Sequence, residues 1–261
     1  MMNNLELLKS VLSVPSKTYQ EDLLVKFICD WLEENKIPFY VDKMKNIYAT
    51  KQTSQDVDFF PCVIAHTDTV HNIEPINIIE EMLPNSQGEL KKSWRALNDK
   101  GDPTGIGGDN KCGVFACMVS LLELDNVKSA FFVSEETGCH GSKAADPEFF
   151  SNVGYCIQFD APENNMISEY LMGKKMFNRE SKFFEVGNRL ICENFPSDPL
   201  YQYHPYTDIF PLNQNFGLSC FNLSIGYYRY HTRQEYVVLE DTYNGISIGK
   251  KIIEELGCSK H

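Results

Sequence analysis

The residues of this chain whose types and spacing could do chemistry are His66 and Asp68 in AHTDTVH, Asp109 in GIGGDNKCG, Glu135 and Glu136 in FFVSEETG, Asp160 in CIQFDAP and His231 in YYRYHTRQEY. Two imidazoles and three carboxylates make a mixed nitrogen and oxygen shell for two borderline divalent ions, with one carboxylate shared between them. A further carboxylate is left over, as hydrolysis requires, because some group must take the proton from the attacking water. Each fragment alone is a weak signal. Their order and flanking residues give them force.

Local geometry says what each fragment can do. Residues two apart in a strand share a face, so His66 and Asp68 point the same way. One ring nitrogen of His66 is then free for a metal, while the Asp68 carboxylate accepts from the other and fixes the tautomer. Asp109 stands in a turn between Gly107, Gly108 and Gly113, where the backbone can come close to a site. No lysine followed by Ser or Thr stands where a phosphate-cradling loop needs it, so a bridging carboxylate is the better reading. Glu135 and Glu136 would point to opposite faces of a regular strand. Both reach one site only where the backbone turns, and Thr137-Gly138 supplies a turn, so one can bind metal while the other acts as base. Asp160 ends an apolar run before Pro162, and His231 lies in an aromatic loop. A lone histidine is usually structural, and the other fragments shift that reading. Cys139 and His140 beside the glutamates are read as loop residues rather than ligands.

These groups need elements to carry them. Apolar residues recur at helical spacing over 3–13 and 20–36, and short strands are expected near 38–42 and 46–50. PCVIA (61–65), SAFFVSE (129–135), GYCIQF (154–159) and SCFNLSIG (219–226) read as buried strands. MISEYLMG (166–173) and YVVLE (236–240) read as further strands. Helices are expected over 111–124, near 143–150 and over 180–194. A final helix capped by Asp241 or Thr242 runs to Leu256, with Gly257 ending it. The alternation predicts an α/β class: a single-domain α/β/α sandwich over 1–261 with a central mixed, mostly parallel sheet. The chemical residues all fall at or just beyond the C-terminal ends of its strands, where open α/β sheets build ligand sites.

Gross composition narrows the partners. A net charge of −12 argues against nucleic acid and anionic membranes, which select basic surfaces. No apolar run is long enough to span a bilayer. The first residues, with Glu6 and Lys9 inside an apolar stretch, read as an amphipathic helix and not as a signal peptide. Nine cysteines, scattered and without a CxxC, fit unpaired thiols in a reducing cytoplasm.

With these residues in view, the chain resembles the co-catalytic di-zinc exopeptidases, the group of leucyl-type aminopeptidases, tripeptidase T and carboxypeptidase G. The likeness runs from LLKSVLSVPS and KNIYAT through AHTDTV, GGDNKCG, EETGCHGS and IQFD to FNLSIGYYRYHTRQEYV. It implies one metal on His66, Asp109 and Asp160, a second on Asp109, Glu136 and His231, Glu135 as base and Asp68 supporting His66. It also implies a cis peptide at Asp109–Asn110. Two zinc ions are the implied cofactor, with cobalt or manganese as substitutes. The Asp160–His231 interval is too short for the family's lid insertion, and the His66–Asp109 interval for the insertion of another branch, so a lidless form is expected.

The implied activity is hydrolysis of short peptides at a chain end. A deacylase of N-acyl amino acids is the alternative enzyme, and a catalytically inactive binding homologue the alternative of another class. Asp208 in HPYTDIFPL is placed to hold a substrate ammonium, and Arg229 could reach a carboxylate instead. His204, Tyr206, Tyr227 and Tyr228 are candidates to stabilise the oxyanion. An aspartate at position 160 leans toward the aminopeptidase side.

Overall fold

The computed structural model describes residues 4–204 and 206–261, without the side chain of His204. Helices α1 (Asn4–Ser13) and α2 (Asp22–Glu34) form where Leu8, Val11 and Leu12, then Leu24, Ile28 and Leu32, recur at helical spacing and are buried. Strands β1 (Phe39–Val41) and β2 (Ile47–Gln52) lead to β3 (Phe60–His66), buried along its whole length. Next come β4 (Asn77–Pro84), β5 (Leu90–Leu97) and β6 (Pro103–Thr104), then α3 (Gly108–Glu123) and β7 (Asn126–Phe132). Two short helices, α4 (His140–Lys143) and α5 (Pro147–Phe150), precede the buried β8 (Val153–Ala161).

The second half continues with β9 (Met166–Leu171), β10 (Lys174–Lys175), α6 (Lys182–Asn194), β11 (Leu200–His204) and α7 (Ile209–Phe216). It closes with β12 (Cys220–Ser224), β13 (Tyr227–Tyr228), β14 (Tyr236–Val238) and α8 (Leu239–Leu256).

The main sheet runs β1-β2-β7-β3-β8-β12-β9, with β10 and β11 also paired to β9. Its centre, β7-β3-β8-β12, is parallel, and antiparallel pairs flank it on both sides. Strands covered on both faces must be apolar throughout, which is why FPCVIAH and VGYCIQFDA carry almost no charge before their last residues. The fold is thus α/β with a mixed sheet, as the alternation predicted. Helix α3 lies against β3 and β8. Gly113 makes that approach possible, since a Cβ there would stand 2.4 Å from the Phe159 carbonyl oxygen.

Two features depart from the sequence reading. The interval between His66 and Asp109 has no element assigned to it in the sequence reading. It holds the β4–β5 hairpin, which builds a second sheet in the order β13-β14-β5-β4, with β6 beside β5. No residue of β4 is fully buried, so NIIEEMLP carries the adjacent Glu80 and Glu81 and lacks the long apolar run that betrays a buried strand. Helix α8 begins at Leu239, so Asp241 and Thr242 lie inside its first turn and cap nothing. Asp241 instead accepts from Tyr228 Oη at 2.6 Å and Asn164 Nδ2 at 3.2 Å, and Thr242 Oγ1 bonds back to the Val238 carbonyl. Gly257 does end the helix, with φ 66°. All nine cysteines are free, and among the described residues no helix is long and apolar enough to cross a membrane.

Candidate active site

The chemical residues converge where the parallel strands end. His66 is the last residue of β3 and Asp160 the last but one of β8, side by side at the same sheet edge. Asp109 opens α3, where the helix is irregular at 109–110 and the Asp109–Asn110 peptide is cis, as the resemblance implied. Glu135 and Glu136 lie beyond the end of β7, after Ser134 takes a positive φ of 55°. That break in the strand lets adjacent glutamates serve one site. His231 comes from the other sheet, on the loop that joins β13 to β14.

His66 Nε2 is 3.2 Å from Asp109 Oδ1 and 3.3 Å from Asp160 Oδ1. His231 Nε2 is 3.2 Å from Asp109 Oδ2 and 3.0 Å from Glu136 Oε2. Asp109 therefore gives one oxygen to each histidine. Single donor atoms of His66, Asp109 and Glu136 also fall within 4.8 Å of one another. Glu135 stands back, its Oε2 4.0 Å from His66 Nε2 and its Oε1 3.4 Å from the Cys139 thiol.

The surrounding bonds aim these groups. Asp160 Oδ2 accepts from Thr207 Oγ1 at 2.8 Å and Gln158 Nε2 at 3.1 Å, which leaves Oδ1 turned to His66. Asp68 differs in part from the expectation. His66 Nδ1 lies 3.0 Å from the Asp68 main-chain oxygen and 3.4 Å from its carboxylate. That carboxylate is occupied by the Glu135 and Glu136 amides at 2.8 and 3.2 Å and by Thr18 Oγ1 at 2.8 Å. It clamps the glutamate turn as well as facing the imidazole.

Several site residues were missed by sequence reasoning. Glu235, fully buried, accepts from the Gly107 amide at 2.8 Å, the Asp109 amide at 3.0 Å and His71 Nε2 at 2.7 Å. One carboxylate thus ties together the loops that carry His66, Asp109 and His231. Both partners sat inside quoted motifs, His71 in AHTDTVH and Glu235 in RQEY, but nothing in a linear pattern says that they meet.

The electrostatics show what the cluster lacks. Burial opposes charge on His66, yet the neighbouring Asp160 and Asp109 carboxylates hold its ring well above the usual histidine range. Hydrogen bonds that His231 donates to Asp109 and Glu136 push its ring up to about 10. Burial raises the Glu135 carboxyl well above normal and lifts Glu136 and Asp160 as well. Asp109, though buried, is held low by the two histidines. Four carboxylates thus meet two imidazoles around a cavity of about 540 Å³, and among the described residues no lysine or arginine lines it. A buried cluster of this composition could hold a metal cation. A mixed imidazole and carboxylate set suits zinc-type ions.

The other wall of the cavity is aromatic, formed by Tyr203, Tyr206, Tyr227 and Tyr230 beside Gln202. Tyr206 and Tyr227 were expected near the reaction centre, and Tyr227 Oη donates to the Asp160 main-chain oxygen at 3.0 Å. Tyr228 is not at the site. Its hydroxyl is spent on Asp241, its ring stacks on Tyr236 at 5.2 Å, and the alternation of β13 turns it away from Tyr227. Arg229 is exposed and outside the cavity wall. Asp208 is fully buried, accepts from Ser142 Oγ at 2.5 Å, and is not part of the cavity surface. Burial pushes its carboxyl up to about 7. The side chain of His204 lies outside the described residues.

Solved structures share this architecture. Aminopeptidase PepT from Bacillus cereus superposes with a TM-score of 0.78 at 14% identity, over 98% of this chain and 99% of that one. The chain shares the fold of this aminopeptidase. A tripeptidase from Staphylococcus aureus gives 0.76 at 13% identity over 98% and 99%. An aminopeptidase from the archaeon Desulfurococcus kamchatkensis gives 0.68 at 16% over 97% and 94%. No protein-family profile and no curated protein sequence matches the chain.

Proposed function

We propose that this chain is a metal-dependent aminopeptidase of short peptides, with His66, Asp109 and Asp160 holding one zinc-type ion and Asp109, Glu136 and His231 the other. The division of the Asp109 oxygens between two histidines at 3.2 Å each is the observation that carries this reading. Bound ions of this kind lower the pKa of the attacking water toward ~7 and polarise the scissile carbonyl. The rest is done by side chains. Glu135, set back from His66, takes the proton of the attacking water and passes it to the leaving amine. Asp68 holds the Glu135–Glu136 turn through two main-chain amides, which fixes the base over the cavity. Thr207 and Gln158 keep Asp160 turned toward His66.

The amino end is favoured over the carboxyl end by charge. A substrate carboxylate would need an Arg or Lys, and none of the described residues supplies one in the cavity wall. A substrate ammonium instead meets carboxylates and the faces of tyrosines, which attract cations. Solved neighbours described as aminopeptidases and a tripeptidase agree with this choice.

Metal analysis of the purified protein, combined with a panel of free dipeptides, tripeptides and matching N-acyl amino acids, tests the proposal. Close to two zinc-type ions per chain and turnover that needs a free amine are expected. Faster turnover of N-acyl amino acids would replace it with the deacylase reading, and full activity after chelation would remove the metals from the mechanism.

A further inference from the structure

Strand β11 is the outermost strand of the main sheet beyond β9, and it borders the cavity. Among the described residues β9 is its one ladder partner, with Leu200 opposite Met166 and Gln202 opposite Ser168. The Leu200 amide donates to the Asn165 carbonyl at 2.8 Å. Bonding residues alternate in a parallel ladder, so Leu200 and Gln202 bond inward while Tyr201 and Tyr203 turn their N–H and C=O outward. Among the described residues nothing accepts from the outward amide of Tyr203.

Gln202 and Tyr203 both line the cavity. Consecutive strand residues point to opposite faces, so a cavity that touches both adjoins the edge of the strand and not one face. The irregularity between them belongs to β9, where Glu169 is skipped, and β11 keeps its alternation. Pro199 and Pro205 bracket LYQYH in the sequence, and the segment itself carries neither the lysine nor the proline that commonly blunts an open edge. An unblocked edge beside the reacting groups is a ready template for an extended chain.

We infer that the outer edge of β11 receives the substrate main chain as an added strand. The chain then takes extended peptides with a free amino end and reads their backbone amides beyond the scissile bond, whatever the side chains there. This inference rests on the aminopeptidase reading.

The test compares Leu-Ala-Ala-Ala with versions N-methylated at the third or the fourth residue, using leucine amide as a substrate that stops short of the edge. Methylation at one of the two positions should lower kcat/KM about five- to tenfold, the worth of one main-chain hydrogen bond. Methylation at the other should change little, because bonding alternates along a strand. Tyr203→Pro, which removes the outward N–H, should lower the tetrapeptide rate relative to the leucine amide rate by a similar factor. Tyr203→Ala, which keeps that N–H, should lose less. Equal rates for both methylated peptides, or equal losses in the two variants, would overturn the inference while hydrolysis of leucine amide upheld the aminopeptidase reading. If Tyr203→Pro fails to fold, the methylated peptides decide on the natural chain alone. Failure to hydrolyse either unmodified substrate would take down both readings.

Discussion

Glu135 and Glu136 are neighbours in sequence with opposite fates, because the positive φ at Ser134 breaks the strand just before them. Glu136 faces His231 at 3.0 Å, whereas Glu135 is set back. Glu135→Gln should therefore keep both metals and near-normal stability while kcat falls by several orders of magnitude, since only the proton carrier is lost. Glu136→Gln should instead lower metal content toward one ion per chain. Metal analysis beside steady-state kinetics checks both, and the reverse pattern would swap the assignments. Asp208 has a different consequence. Burial raises its carboxyl from the ordinary 3.8 to about 7, so the folded chain keeps a proton that the unfolded chain releases. The associated stability is full below about pH 4 and is lost as pH rises through about 7. In chelated protein, thermal melts should fall more steeply between pH 5 and pH 8 for the natural chain than for Asp208→Asn. Parallel curves would mean that no such proton is held.

At the scale of elements, the main sheet carries most of the candidate ligands and the second sheet carries His231. Strand β14 pairs with β5, so the β4–β5 hairpin braces the loop that delivers that histidine. Glu235 joins the two systems through the Gly107 and Asp109 amides and His71. Glu235→Gln keeps the size but removes the charge that makes these bonds strong. It should cost about 2 kcal/mol of stability and loosen metal retention, because the Asp109 and His231 loops are no longer drawn together. Urea unfolding and the metal content after dialysis measure the two effects. Unchanged metal retention would show that the loops hold their positions without Glu235. The hairpin was not legible in the sequence because no residue of β4 is fully buried, whereas β3 and β8 were legible because both faces are covered.

For the whole molecule, the balance of charge is the governing quantity. The net charge of −12 is concentrated in part around one cavity, and the candidate ligands come from strand ends and loops that are far apart in sequence. Bound cations then act as ties between distant parts of the chain, and their binding free energy adds to folding. Chelation should abolish hydrolysis and lower the melting temperature by about 15 °C for two ions each held at a thousandfold excess over its dissociation constant. Calorimetry with and without chelator, followed by zinc add-back, checks this. A melting temperature indifferent to chelation would mean that the carboxylate cluster is stable by itself.

The sequence by itself determined the α/β class, the buried central strands and the identities of the residues that meet at the strand ends. Those features depend on local periodicity and on the rule that parallel strands end at a shared edge, both of which a linear reading can follow. Only the tertiary structure decided which oxygen of Asp109 faces which histidine, that Asp68 clamps the glutamate turn, and that Glu235 joins three loops. It also withdrew Tyr228, Arg229 and Asp208 from the cavity wall and put Tyr203 and Tyr230 there. Partners of this kind are chosen by packing between segments far apart in the chain, and one segment's pattern holds no record of what another brings to meet it.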